Sequence, residues 1–269
     1  MTSPSLVSMI VPTYNQARYL GACLDSIWFQ DHPNLEIIVV NDCSTDDTRQ
    51  VLEDFARQVE EGSEVSYASY YNEAEDVIER VHHPRYPRAG RSLKILHNEK
   101  NIGSTPTYNR GFQAATGDYC TYIASDDICH PQMVSTLAAP LDRDEADFVY
   151  SDVFVFDDNG RILREFKLPD YDFKASFADW YLCSVSKLYR RSLHETFGWY
   201  NNDFLANDHE FYLRLAMGGA RFKHIAKTLY SIRTHDNREV NVHSSSNWGK
   251  LLNESKGLAL KARAFLEGK

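Results

Sequence analysis

The chain has 269 residues, of which 43% are hydrophobic and 25% charged, as in an ordinary globular protein with a sizeable core. Its formal net charge of −9 argues against a nucleic-acid-binding protein, since there is no basic surplus to neutralise phosphates. The N-terminus lacks a signal-peptide pattern, and no run approaches the ~20 apolar residues that span a bilayer. We therefore expect a cytoplasmic protein whose five scattered cysteines are reduced, mostly buried thiols.

The first 60 residues repeat a strand-then-helix pattern. Leu6–Val11, which we expect to end at Pro12, and Leu35–Val40 are apolar runs typical of buried strands. After each run, at 19–28 and 51–59, apolar residues recur every three or four positions, as on a helix packed against a sheet. Two such units in succession favour a parallel, doubly wound sheet.

A polar, tyrosine-rich segment at about 60–92 interrupts this alternation. We expect it to be an insertion over one edge of the domain, with a short helix near 74–82. Two roles remain open for it. It would either contact an acceptor or a partner chain, or form only a surface excursion.

The next strands bring polar residues to their ends. A strand at 92–96 leads to Asn101-Ile102-Gly103 and a helix at 106–115, and a strand at 119–124 ends in Asp126 and Asp127. In α/β sheets, ligands collect at the carboxyl ends of strands. Adjacent strand residues point to opposite sides, so one carboxylate would bind a divalent cation and the other would accept hydrogen bonds from ligand hydroxyls. A solvated acidic turn is the alternative for this pair on its own.

The second half predicts an antiparallel addition and further helices. The elements expected there are a helix around 137–141, a hairpin at 147–166 turning at Asp157-Asp158-Asn159-Gly160, helices at 188–197 and from Asn207, a closing strand at 222–232 and an amphipathic helix from 247. Asp208 would lie in the cap or first turn of its helix, where Asp is common for structural reasons alone. The C-terminal helix would dock on the domain, join a homodimer or lie on a membrane surface.

Six short motifs, in this order, resemble the inverting family-2 glycosyltransferases of the GT-A fold. They are Ile10-Val11-Pro12-Thr13-Tyr14-Asn15, Val39-Val40-Asn41-Asp42-Cys43-Ser44-Thr45-Asp46, Asn101-Ile102-Gly103, Ser125-Asp126-Asp127, Asn207-Asp208 with Leu213-Arg214-Leu215, and Tyr230-Ser231-Ile232-Arg233-Thr234-His235. Each lies at an expected strand end or helix start, and the resemblance spans roughly residues 6–236, leaving the insertion at 60–92 and the last helix unmatched. The resemblance implies a Rossmann-like α/β fold: a mixed, mostly parallel sheet flanked by helices, with a small antiparallel addition and a C-terminal helix.

The resemblance also implies one GT-A domain over residues 1–269. Its nucleotide-sugar-binding half would be 1–128, including the insertion at about 60–92. The acceptor-binding half would be 129–246, followed by the C-terminal helix at 247–269. The acceptor pocket itself would be built from residues 170–199.

Site roles follow from the same resemblance. Thr13 and Asp42 match the positions that hold the base and ribose of the donor, and Asn101 belongs to the same donor site. Asp126 matches the residue that faces the ribose or donor sugar. Since an Asp beside uracil accepts its ring N–H, a UDP-sugar is the favoured donor, although a thymidine donor presents the same group.

The metal and the base are implied in the same way. Asp127 matches the ligand of Mn²⁺ or Mg²⁺, and His235 matches a histidine that completes the metal site from the far side. A fixed divalent cation would stabilise the departing diphosphate. Asp208 matches the base that removes the proton of the acceptor hydroxyl. Relatives more often have acidic residues where this chain has Asn41 and Asn207.

The resemblance therefore implies transfer of a sugar to a carbohydrate, lipid-linked or protein-glycan acceptor, in the cytoplasm or at the inner face of the membrane. A non-catalytic relative that binds nucleotide-sugar is the first alternative, but it would not need Asp42, Asp126, Asp127 and Asp208 together. A sugar-phosphate nucleotidylyltransferase is the second. It would need a Gly-rich, basic loop after the first strand, and Pro12-Thr13-Tyr14-Asn15 is not such a loop.

Overall fold

The computed structural model describes residues 4–61, 65–84, 88–235 and 245–268, and within them the chain forms eleven strands and seven α-helices. The strands are β1 (Val7–Thr13), β2 (Leu35–Asn41), β3 (Val65–Asn72), β4 (Val77–Pro84), β5 (Arg91–His97), β6 (Tyr119–Tyr122), β7 (Ile128–Cys129), β8 (Phe148–Phe156), β9 (Ile162–Phe166), β10 (Lys187–Arg190) and β11 (Phe222–Arg233). The helices are α1 (Ala17–Trp28), α2 (Thr48–Glu61), α3 (Ser104–Ala114), α4 (Met133–Asp142), α5 (Ser192–Phe197), α6 (Asn207–Met217) and α7 (Ser245–Glu267), with a π-helical turn at Lys174–Asp179.

Nine of the described strands form one mixed sheet. Their order is β5-β2-β1-β6-β10-β8-β11-β7, and β9 pairs with β8 outside this path. Six of them (β5, β2, β1, β6, β8 and β11) run in the same direction, because β10 is antiparallel to both β6 and β8. The predicted mixed, mostly parallel sheet with a small antiparallel addition is therefore confirmed. The strands β3 and β4 form a separate antiparallel hairpin.

Helices cover both faces of the sheet, which explains why β1 and β2 are apolar without alternation. On β1, Met9 belongs to one buried cluster together with Leu20 and Leu24 of α1. Its neighbour Ile10 belongs to the other buried cluster, with Tyr108 and Phe112 of α3. Both faces of such a strand lose water on folding, so every position favours an apolar side chain.

Helix α3 lies so close to the sheet that only glycine fits at position 111. A Cβ added to Gly111 would lie 2.4 Å from Cγ2 of Ile10 and 3.3 Å from Cγ2 of Val40. We expect Gly111→Ala to lower the free energy of unfolding by about 2 kcal/mol, because the added carbon overpacks this contact. Urea denaturation at equilibrium measures the change.

Gly21, inside α1, provides the matched control. A Cβ there would meet nothing within 4 Å. We expect Gly21→Ala to raise the free energy of unfolding by about 0.5–1 kcal/mol through helix propensity alone. Equal stability of the two variants would contradict the close packing of α3.

The prediction of a short helix near 74–82 is wrong, because the chain reverses here and continues as the strand β4. Oδ1 of Asn72 accepts the backbone N–H groups of Ala74 and Glu75, and Asp76 has a φ of 54°, so the chain reverses. The pairing then runs in register from Asn72↔Val77 to Val65↔Pro84. The β-branched residues of this stretch favour a strand once a partner lies beside it.

The β3–β4 hairpin docks against α1 and the β8–β9 turn. The backbone N of Ile78 donates to the carbonyl of Gly160 at 2.6 Å. The ring of His83 lies 4.1 Å from that of Phe29, and the ring of Tyr71 lies 4.7 Å from that of Phe154. The insertion is thus held by both a backbone bond and ring contacts.

Two further boundaries differ from the prediction. Residues 187–190 form strand β10 and only 192–197 are helical, since Leu188 and Tyr189 are buried between β6 and β8. The strand β1 also continues through Pro12 to Thr13. Neither change is visible in a local pattern, because both depend on which strands become neighbours.

The C-terminal helix packs on the domain. Leu258 and Ala262 of α7 are buried in the same cluster as α6, and Nε of Arg263 donates to the carbonyl of Ala178 at 2.8 Å. Among the described helices, none combines the length and the apolar character that a membrane crossing requires. All five cysteines are free thiols, three of them buried, as predicted.

Candidate functional site

A cleft of about 670 Å³ lies at the carboxyl ends of the central parallel strands. Five of the predicted site residues line it: Thr13, Asp42, Asn101, Asp126 and Asp208. They come from the ends of β1, β2 and β6, the loop before α3 and the first turn of α6. Residues far apart in the sequence therefore meet at one edge of the sheet, as expected for ligand sites of α/β folds.

The side-chain hydroxyl of Thr13 indicates that a ligand binds in this cleft. Its Oγ1 is buried and has no hydrogen-bond partner among the described residues. The backbone is well ordered by pairing, since Thr13 lies opposite Asn41 and its carbonyl accepts the N–H of Asp42 at 2.9 Å. Burying a hydroxyl without a hydrogen-bond partner costs about 1–3 kcal/mol of stability. A hydrogen bond to water or to a bound ligand would remove that cost.

The carboxylate of Asp42 organises the loop that precedes α3. It accepts the backbone N–H groups of Ile102 and Gly103, both at 2.9 Å, and the side-chain amide of Asn98 at 2.7 Å. Gly103 has a φ of 88°, which favours glycine. The Oδ1 of Asn101 also accepts the N–H of Gly103, at 3.2 Å. Asp42 thus fixes the loop that carries Asn101 while itself lining the cleft.

Asp126, which the sequence assigns to the donor sugar, lies beside His235, which the sequence assigns to the metal together with Asp127. The Oδ2 of Asp126 is 3.1 Å from Nε2 of His235, and both side chains are buried. The ring of His235 lies 4.7 Å from the ring of Tyr19, and Nε of Arg233 donates to the backbone carbonyl of Asp126 at 3.0 Å. The geometry therefore brings a carboxylate oxygen and an imidazole nitrogen together.

Asp127 points away from the cleft, into the sheet. It is 1% exposed, its Oδ2 accepts the hydroxyl of Tyr230 at 2.8 Å, and its Oδ1 accepts the backbone N–H of Arg233 at 2.9 Å. The two carboxylates of the pair do face different surroundings. It is Asp126 that lines the cleft, whereas Asp127 was predicted to be the metal ligand. The role of metal ligand for Asp127 stays a prediction.

The described residues contain no group of three or more His, Cys, Asp and Glu side chains arranged to hold a metal. Asp126 and His235 are a pair. A carboxylate suits both Mg²⁺ and Mn²⁺, and an imidazole suits Mn²⁺ better. The two side chains therefore fit a divalent cation whose other ligands would come from a bound diphosphate or from water.

Asp208 lines the same cleft from the first turn of α6. It is half-buried, and its Oδ1 accepts the backbone N–H of His209 at 2.7 Å. Burial raises the pKa of Asp208 above its usual value, and the N–H of His209, the hydroxyl of Tyr181 and the ammonium of Lys187 oppose that rise. The cap position belongs to Ala206, so Asp208 is not the N-cap. A carboxylate with a raised pKa in a cleft is a candidate general base.

Sequence reasoning missed an aromatic part of the cleft lining. The rings of Tyr108 and Tyr122 stack there with centroids 4.8 Å apart, and both line the cleft. Lys187 lies against Tyr122 with its Nζ 3.3 Å from the ring centroid. Two tyrosines and a lysine form no sequence motif. Lys187 lies beside Tyr122 because β10 pairs with β6, and Tyr108 contacts Tyr122 from α3.

A larger concavity, about 970 Å³, lies at the other edge of the sheet, where β1, β2 and β5 begin. The arginine side chains that line it already bind carbonyl or carboxylate groups of the protein. Arg91 donates to the carbonyls of Trp28 and Gln30, Arg190 pairs with Asp147, and Arg191 pairs with Glu195. We therefore place the functional site in the smaller cleft, where the predicted residues converge.

Comparison with known proteins gives a consistent result. Residues 8–69 and 69–198 match the model of the family described as glycosyl transferase family 2. A PGL/p-HBAD biosynthesis glycosyltransferase of Mycobacterium bovis is 29% identical over 237 residues, which are 86% of this chain and 78% of that protein. The chain spans only 41% of the length of another curated relative it matches, a glycosyltransferase of Streptococcus pneumoniae.

Two solved structures share the fold. One is S. aureus TarS in complex with UDP-GlcNAc, with a TM-score of 0.64 and 23% identity over 86% of this chain and 59% of that chain. The other is the mannosyltransferase PcManGT of Pyrobaculum calidifontis in complex with GDP-Man and Mn²⁺, with a TM-score of 0.65 and 19% identity over 98% of this chain and 70% of that chain. The two complexes contain different nucleotides.

Proposed function

Because the chain belongs to glycosyl transferase family 2, we propose that it is an inverting, metal-dependent glycosyltransferase that moves a sugar from a nucleoside diphosphate donor to an acceptor hydroxyl. One observation carries this proposal. A single cleft is lined by Thr13, whose buried hydroxyl has no hydrogen-bond partner among the described residues, and by the carboxylates of Asp126 and Asp208. Donor-binding groups and a base would thus act across one cavity.

The donor's nucleoside would lie at the ends of β1 and β2. There, the hydroxyl of Thr13 lacks a partner among the described residues, and Asp42 is already oriented by three hydrogen bonds. A carboxylate retains lone pairs for the ring N–H of a uracil base. We favour a UDP-sugar on this ground, as in the UDP-GlcNAc complex of TarS, although the complex of PcManGT, which has the same fold, contains GDP-Man.

Asp126 and His235 would hold a divalent cation, Mn²⁺ or Mg²⁺, beside the donor's diphosphate. Their nitrogen and oxygen atoms lie 3.1 Å apart. When bound, such a cation supplies positive charge for the diphosphate that leaves with a growing negative charge. Asp127 would be a buried structural residue. It accepts hydrogen bonds from the hydroxyl of Tyr230 and the backbone N–H of Arg233, and these bonds connect the acidic pair to β11.

Asp208 would perform the proton transfer. As the acceptor oxygen attacks the anomeric carbon, its O–H bond breaks and the proton moves to a carboxylate oxygen of Asp208. The bond from that carbon to the diphosphate oxygen breaks on the opposite face, and its electron pair leaves with the nucleoside diphosphate. One carboxylate is sufficient for this displacement, so the product would have inverted configuration and no covalent intermediate would form.

The acceptor would approach beside the segment that carries Trp180, whose side chain is 71% exposed. Aromatic faces of this kind commonly contact sugar rings. Carbohydrate, lipid-linked and protein-glycan acceptors all present the required hydroxyl. The donor end of the cleft gives the sharper test.

A panel of nucleotides tests the donor site. We expect UDP to bind to the chain in the presence of Mn²⁺ at least about tenfold more tightly than in its absence, since the cation neutralises diphosphate charge beside Asp126. Titration calorimetry with UDP, dTDP and GDP, with Mn²⁺ or with chelator, measures these affinities. The proposal fails if none of the nucleotides binds in either condition.

Turnover separates the enzyme from a non-catalytic binding protein. UDP-sugars that bind should be hydrolysed slowly in the presence of Mn²⁺, with water in place of the acceptor. Release of UDP without added acceptor can be followed by a coupled assay. Binding of UDP-sugar without release of UDP, under any acceptor, would favour the non-catalytic alternative.

A further inference from the structure

The segment that leads into α6 supplies three residues of the cleft, and the C-terminal helix holds its backbone. Leu205, Asn207 and Asp208 all line the cleft. The Oε2 of Glu254, in α7, accepts the backbone N–H of Leu205 at 2.8 Å and that of Ala206 at 2.9 Å. One carboxylate oxygen therefore binds the two peptide groups that directly precede Asn207 and Asp208.

Helix α6 does not supply the acceptor for these N–H groups itself. In a capping box, an acidic side chain at the third helical position binds the N–H of the cap residue. In α6 the cap residue is Ala206, and the third position is His209, whose ring nitrogens have no hydrogen-bond partner among the described residues. Glu254 supplies that carboxylate from a different helix. Since Ala206 is 2% exposed and the side chain of Glu254 is 14% exposed, water has little access to replace it.

A second contact reaches the same segment from α3. The Nδ2 of Asn207 donates to Oγ1 of Thr105, which is buried, at 2.8 Å. This contact binds a side chain, whereas the contact from α7 binds the backbone on which Asp208 is placed. Helix α3 lies within the part of the chain that matches the family model, residues 8–198, and α7 lies beyond it. An element outside the matched part therefore fixes a wall of the cleft.

We propose that Glu254 is a positioning residue for glycosyl transfer, whose carboxylate fixes the backbone at 205–206 so that the Asp208 carboxylate meets the acceptor hydroxyl. The proposal rests on the proposed function of Asp208 as the base. Glu254 is not among the described residues that line the cleft, so it acts through the peptide backbone and not on the substrate. Such a contact affects the rate, because a displacement of about 1 Å in a reacting group costs up to about a hundredfold.

The kinetics of Glu254→Ala are the first test. We expect kcat, corrected for the folded fraction, to fall by at least about tenfold, because the base no longer has a fixed place. The KM for the donor and the affinity for UDP with Mn²⁺ should be unchanged, since Thr13, Asp42 and Asp126 come from the ends of strands. A merely structural contact would lower the urea midpoint and leave the kcat of the folded molecules at the wild-type value.

Two further variants show whether the hydrogen bonds themselves matter. Glu254→Gln keeps a side-chain oxygen that can accept both N–H groups, though more weakly, so its kcat should stay within about threefold of the wild type. Glu267→Ala removes a carboxylate from an exposed position at the end of the same helix and should leave kcat unchanged. A wild-type kcat for Glu254→Ala would overturn the proposal, as would a loss in Glu254→Gln as large as that in Glu254→Ala.

Amide hydrogen exchange tests the same contact without activity. In Glu254→Ala, amides in peptides covering 203–211 should exchange at least about tenfold faster than in the wild type, because this segment opens more readily once its acceptor is lost. Peptides from β1 and β2 should exchange as in the wild type. Unchanged exchange at 203–211, or an equal increase throughout the chain, would refute the positioning role. Faster local exchange in a protein whose wild type transfers no sugar would instead refute the proposed function.

Discussion

Asp208→Asn should reduce glycosyl transfer by at least about a thousandfold while leaving donor binding unchanged. Asparagine has nearly the same shape and can still accept the N–H of His209, which lies 2.7 Å from Oδ1 in the wild type. It cannot take the proton of the acceptor hydroxyl. Transfer is measured by release of the nucleoside diphosphate with acceptor present, and donor affinity is measured by calorimetry with Mn²⁺.

Asp203→Asn is the matched control for this variant. Asp203 is exposed and lies in the loop before α6, so the same chemical change is made outside the cleft and the transfer rate should stay at the wild-type level. Transfer by Asp208→Asn within a few-fold of the wild type would remove Asp208 from the role of base. Loss of donor binding in that variant would instead show that Asp208 contributes to the donor site.

The same assignment fixes the sign of the pH dependence. Burial raises the pKa of Asp208, so its ionised fraction falls as the pH is lowered through that value. The base is the ionised form, and kcat/KM of the wild type should therefore decline on the acid side. The residual activity of Asp208→Asn should lack this acid limb.

The sheet was predictable from the sequence because strands that are buried on both faces appear as near-continuous apolar runs. Apart from Ser8 and Glu36, the runs that became β1 and β2 are apolar, and polar residues begin where each strand ends, at Thr13 and at Asn41. These transitions from apolar to polar residues mark the ligand edge of the sheet. Here, local composition and tertiary position agree.

The β3–β4 hairpin and β10 were not predictable in the same way. At Val77–Pro84, a β-rich stretch follows a turn that depends on the side chain of Asn72, and the resulting pair gains its stability from Phe29, Phe154 and Gly160. At Lys187–Arg190, apolar spacing fits a helix or a strand equally well. The outcome is decided by pairing to β6 and β8, which are distant in the sequence.

Five of the seven predicted site residues line one cleft, and their individual roles stay predictions. Alternation along a strand indicates that Asp126 and Asp127 face different sides, but it does not tell which side is the cleft. That depends on β11, whose Tyr230 and Arg233 occupy Asp127. Nothing in the sequence indicated that Lys187 lies beside the cleft, because lysines are mostly exposed. Only the pairing of β10 with β6 shows that its side chain is buried.

Neutralising Asp126 should abolish the Mn²⁺-dependent part of donor binding, while neutralising Asp127 should chiefly destabilise the fold. In Asp126→Asn, the carboxylate 3.1 Å from His235 is lost, and the affinity for UDP with Mn²⁺ should fall by about a hundredfold, to the level measured with chelator. In Asp127→Asn, two buried donors lose a charged acceptor, and the free energy of unfolding should fall by about 2–3 kcal/mol. Calorimetric titration with UDP and urea denaturation measure the two changes.

Each variant serves as the control for the other, since the same substitution is made at adjacent positions. Asp126 is oriented by a side-chain contact at the cleft, and Asp127 by contacts within the sheet, so their effects should separate into binding and stability. If Asp127→Asn keeps its stability and loses the response to Mn²⁺, while Asp126→Asn retains it, the metal belongs to Asp127 and the geometric assignment to Asp126 is wrong. If both variants bind UDP equally with Mn²⁺ and with chelator, the acidic pair acts on the metal as a unit, because displacement of Asp127 moves Asp126 through the backbone they share.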